Sequence, residues 1–331
     1  MYTLEQKIKQ LFIVGYKSTD INDDAVCLNL IRNGIGGIIF FTKNIISKNQ
    51  IIETIHKIKT ASLISPFLSI DQEGGRVERT ENIHNGKKYL SALDAAKQGL
   101  DFVKHQTETL CEELSQYGFN MNFAPVLDTN TNPQNPIIGI RAYGNNPNDV
   151  IKFSTEVFKI HQQKGIIPVG KHFPGHGDTS TDSHLEMPIV DLSKDEFKNN
   201  HLKPFQKAID NGIEALMASH VYYQCYDKEP IPASLSKNIL TELLRNKLGY
   251  TGVIVSDDMV MGAVADKDIK TVYIQALKAG INVFIYRNSD EKLLQILKSI
   301  AENAKKDEEL LSKIEKSFKK VIELKRKYKI L

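Results

Sequence analysis

Short runs rich in Ile, Val and Phe alternate with longer amphipathic stretches along nearly the whole chain, and this alternation limits the fold more than any other feature. The runs are Ile35–Phe41, Phe67–Asp71, Asn120–Asp128, Ile167–His172, Ala215–His220, Val253–Asp258 and Val283–Tyr286. A weaker eighth run, Phe12–Tyr16, overlaps an opening helix that starts with a Thr3/Gln6 capping box and carries Leu4, Ile8, Leu11 and Phe12 on one face. The runs lack regular polar alternation, as expected for parallel strands buried on both faces. Helical periodicity marks Asn49–Lys59, Leu100–Tyr117, Pro147–Gly165, Phe205–Gly212, Ser236–Leu248 and Ile269–Gly280. Strand followed by helix, about eight times over, means a parallel sheet, either open and doubly wound or closed as a barrel.

The polar residues decide between those two. Several runs end in a reactive side chain: Asp71, Asp128, Lys171 with His172, His220, and Asp257 with Asp258. Such residues at the carboxyl ends of strands are the layout of a barrel active site. An open sheet would call for a glycine-rich phosphate loop after its first strand, and the chain has neither G-x-G-x-x-G nor G-x-x-x-x-G-K-[ST]. The expected fold is an α/β (β/α)₈ barrel, one domain over residues 1–331. A Lys-rich amphipathic helix closes it at about 305–328, with Leu311, Ile314, Phe318 and Val321 inward and its charges on a solvated face.

Charge narrows the partners. Forty-three Lys and Arg against 40 Asp and Glu leave a net +3, which gives no electrostatic footprint for nucleic acid or an anionic membrane. Cys27, Cys111 and Cys225 are scattered and odd in number, the pattern of reduced thiols in a cytoplasmic protein. The apolar stretch Leu11–Val14 is too short for a secretion signal, and no apolar run nears the roughly 18 residues that span a bilayer. The expectation is a cytoplasmic protein acting on a small molecule.

Three segments carry the chemistry. Lys171–His184 holds three histidines, two aspartates and a lysine in fourteen residues. His172 and His176 have the i, i+4 spacing of a metal pair, but Pro174, Gly175 and Gly177 forbid a helix there, so no metal site is expected. Asp182 and His184 project to the same side of an extended loop, where the carboxylate could orient the imidazole for acid–base work. Gly175 and Gly177 read as hinges for that loop. A serine triad is disfavoured: there is no G-x-S-x-G elbow, and Ser183 points away from its neighbours. The second segment, Asp71-Gln72-Glu73-Gly74-Gly75-Arg76-Val77-Glu78-Arg79, reads either as a solvated turn or as a sugar or anion clamp built on Asp71 and Arg79. The third, Val253–Asp258, ends a buried strand in two carboxylates, which alternation sends to opposite faces so that only one reaches the barrel mouth. These two could also ligate Mg²⁺.

Taken together the segments resemble glycoside hydrolase family 3, and within it the bacterial β-N-acetylhexosaminidases. The resemblance rests on Asp71-Gln72-Glu73-Gly74-Gly75-Arg76, Asn122–Asp128, Arg141-Ala142-Tyr143-Gly144, Lys171–His184 and Gly252–Asp258, in family order across most of the chain. It implies the barrel without the C-terminal sandwich domain that many members add. It implies a retaining exo-β-N-acetylglucosaminidase of peptidoglycan fragments, with Asp257 as nucleophile, His184 as general acid/base and Asp182 as its partner. Asp71, Arg79, Arg141, Lys171 and His172 match positions that contact the terminal sugar. No metal or organic cofactor is implied. Alternatives are a phosphorylase of the same family, a metal-dependent barrel hydrolase, and a sugar-binding barrel without catalysis.

Overall fold

The computed structural model describes residues 2–84, 88–180, 187–261 and 269–331. Among them eight parallel strands close into a barrel: β1 (Phe12–Val14), β2 (Gly37–Phe40), β3 (Phe67–Ile70), β4 (Met121–Asn122), β5 (Ile167–Phe173), β6 (Ala215–Ala218), β7 (Val253–Asp258) and β8 (Val283–Tyr286). Each pairs with its neighbours in sequence, and β1 pairs with β8 to complete the ring. This is the (β/α)₈ barrel that the alternation predicts. Every residue of β2, β3, β5, β6 and β8 is buried, because side chains fill the barrel on one face and helices cover the other.

The outer helices begin where side chains can satisfy their free N–H groups. Ser47 accepts from Gln50 N at the start of Lys48–Ala61, and Asn146 accepts from Asp149 N at the start of Pro147–Gln163, where proline fills the first position. Their inward stripes, Ile51, Ile55 and Ile58 on one and Val150, Phe153, Val157 and Phe158 on the other, are buried. At about 1.5–3 kcal/mol per fully buried large apolar side chain, such stripes are what hold the ring on the sheet.

Several boundaries differ from the sequence reading. Of the run Asn120–Asp128 only Met121–Asn122 is strand: Pro125 has no N–H to give a ladder, and beyond it Val126 alone pairs, with Lys171. The opening helix stops at Lys9, so Leu11 and Phe12 belong to the approach to β1 and to β1 itself. Helices Ala25–Arg32 and Glu291–Ala304 complete the crossovers after β1 and β8. On the terminal helix Glu308–Lys327 it is Leu310, not Leu311, that is buried. That helix also breaks the solvated-face reading at one point. Lys325 is fully buried against the N-terminal end of the barrel, donating to Gln10 Oε1 (2.8 Å) and Ser65 O (2.9 Å), with its ammonium over the Phe67 ring.

Two irregularities lie at the opposite, C-terminal end. Between β5 and β6, Gly170 pairs with Leu216 and Phe173 with Ala218, three steps against two. Between β7 and β8, Val255 pairs with Val283 and Asp258 with Ile285, again three against two. Each is a bulge that inserts one residue and turns the strand end. The bulged residues are Lys171–His172 and Ser256–Asp257, beside the side chains singled out by the sequence.

Candidate active site

A cavity of about 220 Å³ opens at the C-terminal ends of the strands. Asp71, Arg79, Arg141, Lys171, His172 and Asp257 all line it, so six of the residues expected to act together are brought together. Asp182 and His184 lie outside the described residues. Asp258 lines the same cavity as Asp257. The expectation that only one of the two faces the mouth is therefore corrected: the β7 bulge breaks the two-residue alternation on which it rested, and the Ser256 hydroxyl accepts the Ile285 N–H at 3.1 Å in its place. The β5 bulge does the same for Lys171 and His172, which are also neighbours joined across a cis peptide and also both line the cavity.

One side of the mouth is a charge cluster. Arg141 makes a forked pair with Glu73, Nε to Oε2 at 2.9 Å and Nη2 to Oε1 at 2.8 Å. Lys171 bridges Glu73 Oε1 (2.6 Å) and Asp71 Oδ1 (2.8 Å). Burial alone would raise the Glu73 carboxyl; Arg141 and Lys171 outweigh it and hold it far below the usual carboxylate range. Glu73 is thereby fixed as an anion and has no proton to donate. Arg79 lies 3.7 Å from Asp71, over the edge of the Phe41 ring, and its Nε has no hydrogen-bond partner among the described residues. The segment from Asp71 to Arg79 is thus ion-paired at the cavity and not a solvated turn.

Local sequence explains the shape of this segment. Gly75 sits at φ +62°, and a Cβ there would come within 2.7 Å of Ser91 Cβ. Asn122, at the end of β4, grips the Gln72 backbone from both sides: its Oδ1 accepts from Gln72 N and its Nδ2 donates to Gln72 O, both at 2.9 Å. Gln72 Oε1 in turn accepts the Arg79 N–H at 2.9 Å. A core strand thereby sets the position of a pocket arginine.

The other side holds the paired aspartates. Asp257 Oδ1 accepts the Asp258 N–H at 2.8 Å, and Oδ2 makes no hydrogen bond among the described residues. Burial pushes the Asp257 carboxyl up, but His172, His220, the Asp258 N–H and Lys171 together hold it below the ordinary value, so it is a carboxylate at neutral pH. Asp258 behaves oppositely. Burial raises it to about 6 despite its ion pair with Arg287 (Nε to Oδ2, 3.2 Å). His220 steadies this strand end. Its Nε2 donates to the Asp258 carbonyl at 3.1 Å and its Nδ1 lies 2.7 Å from Ser234 Oγ.

Between the two sides stands Asp128, fully buried. It accepts from His172 Nδ1 (2.7 Å), from the His172 N–H and from the His176 N–H (2.7 Å). Its charge therefore holds the His172 ring in place through Nδ1, with Nε2 3.5 Å from Arg141 Nη2. The glycines of this segment serve close packing. A Cβ on Gly177 would lie 1.7 Å from Thr129 O, and one on Gly175 2.8 Å from His201 Cβ. Among the described residues no group of three or more His, Cys, Asp and Glu is arranged to hold a metal ion.

The site also draws in residues to which the sequence reading gives no role, although it names Asp128 at the end of a run. Glu73 and Asp128 orient the basic groups. Arg287, one position past β8, and Phe41, one position past β2, line the cavity. The available signal was a place just beyond a strand end for Arg287 and Phe41, the end of an apolar run for Asp128, and the charged segment after β3 for Glu73.

Comparison with known proteins agrees with this geometry. Residues 3–324 match the family model described as the glycosyl hydrolase family 3 N-terminal domain. The chain is 34% identical over 278 residues to the beta-hexosaminidase A of Pseudoalteromonas piscicida, covering 76% of this chain and 46% of that protein. It is 32% identical over 299 residues to the beta-hexosaminidase of Haemophilus influenzae, covering 87% and 82%. Among solved structures, a glycoside hydrolase family 3 beta-N-acetylglucosaminidase from a Paenibacillus species superimposes with a TM-score of 0.93 at 32% identity, over 100% of this chain and 63% of that one. The chain thus spans less than half of one relative and most of another, and the shared part is the barrel with its mouth. From that match over residues 3–324, this chain belongs to glycosyl hydrolase family 3.

Proposed function

We propose that the chain is a retaining, exo-acting β-N-acetylglucosaminidase that acts in the cytoplasm on peptidoglycan fragments in which N-acetylglucosamine is β-1,4-linked to 1,6-anhydro-N-acetylmuramic acid. The observation that carries this reading is Asp257: a carboxylate held ionised, its Oδ2 without a hydrogen bond among the described residues, in the cavity that Asp71, Arg79, Arg141, Lys171 and His172 also line. Binding a sugar needs the polar set alone; an ionised carboxylate at the same spot is what a displacement needs. The names of the two curated relatives and the Paenibacillus enzyme support the sugar class. Residues 1–331 are proposed to act as one barrel domain.

In the first step Asp257 attacks the anomeric carbon, the glycosidic C–O bond breaks, and the leaving oxygen takes a proton from the His184 imidazolium, which Asp182 orients. In the second, water attacks the same carbon, His184 takes its proton, and Asp257 leaves as a carboxylate. Lys171 and Arg141, balanced by Glu73 and Asp71, hold hydroxyls without adding net charge beside the oxocarbenium-like transition state. The scheme needs no metal, so chelation with EDTA should leave the rate unchanged.

Incubation with a nitrophenyl β-N-acetylglucosaminide, with and without phosphate, tests the reading. Free N-acetylglucosamine in both cases is the expected product. N-acetylglucosamine 1-phosphate would replace hydrolysis with phosphorolysis, and no cleavage at all would remove the proposal. The acid is tested by leaving group: His184→Ala should lose at least about 10²-fold more on a natural disaccharide than on a dinitrophenyl glycoside, which departs without a proton. Equal loss on both would send the acid role elsewhere.

A further inference from the structure

His176 brings an unused lone pair to the same cavity. Its ring is buried, at 1% exposure, and lines the pocket that holds Asp257 and Arg141. Nδ1 lies 2.8 Å from Thr179 Oγ1. That hydroxyl has a single proton, which it directs at the His176 carbonyl oxygen, 3.1 Å away, while the Asn135 amide donates to it at 3.2 Å. Nδ1 as donor is the arrangement in which all three contacts of the hydroxyl are hydrogen bonds, so the hydrogen is assigned to Nδ1. Burial, with His172 beside it, lowers the imidazole to about pKa 4, so the ring is neutral at pH 7 and Nε2 is an acceptor. Nε2 is buried and has no hydrogen-bond partner among the described residues. A buried acceptor left empty is costly unless a ligand supplies the donor.

The neighbouring carboxylates already accept from cations or backbone N–H groups. Asp71 serves Lys171 and Arg79, Glu73 serves Arg141 and Lys171, and Asp128 serves His172 and two backbone N–H groups. We propose that His176 is a substrate-binding and specificity-determining residue, its Nε2 accepting a hydrogen bond from an O–H or the acetamide N–H of the sugar held beside Asp257. A neutral acceptor does this without placing a further negative charge next to the nucleophile. The inference rests on the glycosidase reading above.

The test first requires that the wild-type enzyme cleave the nitrophenyl β-N-acetylglucosaminide; failure there rejects the glycosidase reading, independently of His176. His176→Asn and His176→Gln are then compared. Asparagine can keep the donor to Thr179 while leaving the Nε2 position empty; glutamine can put an amide oxygen there. The expected result is a fall in kcat/KM of about tenfold for His176→Asn, the size of one hydrogen bond, with recovery of most of it in His176→Gln and an unchanged melting temperature in both. The 3-deoxy, 4-deoxy, 6-deoxy and N-methylacetamido glycosides identify the donor: wild type and His176→Asn should be equal on the one analogue that lacks it. Wild-type activity in His176→Asn, equal loss in both variants with lowered melting temperatures, or a difference that persists on every analogue would each overturn the proposal.

Discussion

Lys171 at the mouth of the barrel and Lys325 at its floor are both buried, at 2% and 0% exposure, yet they are held by different chemistry. Lys171 touches two carboxylates, Asp71 and Glu73, and belongs to a charge cluster that also contains Arg141. Lys325 touches a side-chain amide oxygen, a carbonyl and a ring, with no anion among these partners, and burial drives its pKa well below the ordinary lysine value. The floor lysine plugs one end of a sheet. The mouth lysine sits in a cluster with spare donors and acceptors facing a cavity. Burial thus marks both lysines; convergence of opposite charges on open space marks only one.

The largest effect expected from this contrast is on Lys171→Met. It leaves Asp71 and Glu73 close together without their shared cation, a loss of a buried partner that costs about 3–5 kcal/mol of stability. The activity of what remains folded should fall by more than about 10²-fold. Urea titration and steady-state kinetics check both. A mild phenotype would dissolve the distinction between the two ends. Glu73→Gln should come next. It halves the anionic charge that Lys171 sees, and kcat/KM should drop by about 10-fold or more while the pH profile loses no acid limb, because Glu73 donates no proton.

Lys325→Met is the counterpart at the floor. Activity should be unchanged, since the residue lies at the end of the barrel away from the cavity. The folded chain disfavours the proton that the unfolded chain binds up to about pH 10.4, so Lys325 makes stability rise with pH towards that value and fall below it. The methionine variant should flatten this slope, read as melting temperature between pH 7 and 10. The smallest effect is expected from Asp258→Asn. Asp258 holds its proton to about pH 6 when folded and to about 4 when unfolded, so it stabilises at low pH and that contribution is lost as pH rises from 4 to 6. The asparagine should remove that decline and change activity only a few-fold, in contrast to Asp257→Ala.

The strand ends were legible because burial writes a continuous apolar run and chemistry interrupts it at one place. Phe67–Ile70 followed by Asp71, and Val253–Asp258 itself, needed nothing beyond that. The helix Glu291–Ala304 was equally open to reading, with Asp290 as cap and Leu293, Ile296, Leu297 and Ile300 in period. What local sequence does not contain is pairing over distance. Glu73 meets Lys171 across about a hundred residues, and only the closed barrel joins them. The two bulges are also invisible, because a bulge is a mismatch between two strands and each strand alone reads as regular. For that reason alternation gave a wrong answer for Asp257 and Asp258. Lys325 hid among the charges of a helix whose other lysines are exposed or half-buried.

Covalent trapping tests the central claim most directly. The enzyme would be treated with a 5-fluoro-N-acetylglucosaminyl fluoride, digested, and mapped by mass spectrometry. The account predicts one sugar per chain, attached through an ester to Asp257, and no label in Asp257→Ala. A label on Asp258 or any other residue, or turnover without any trapped ester, would contradict it.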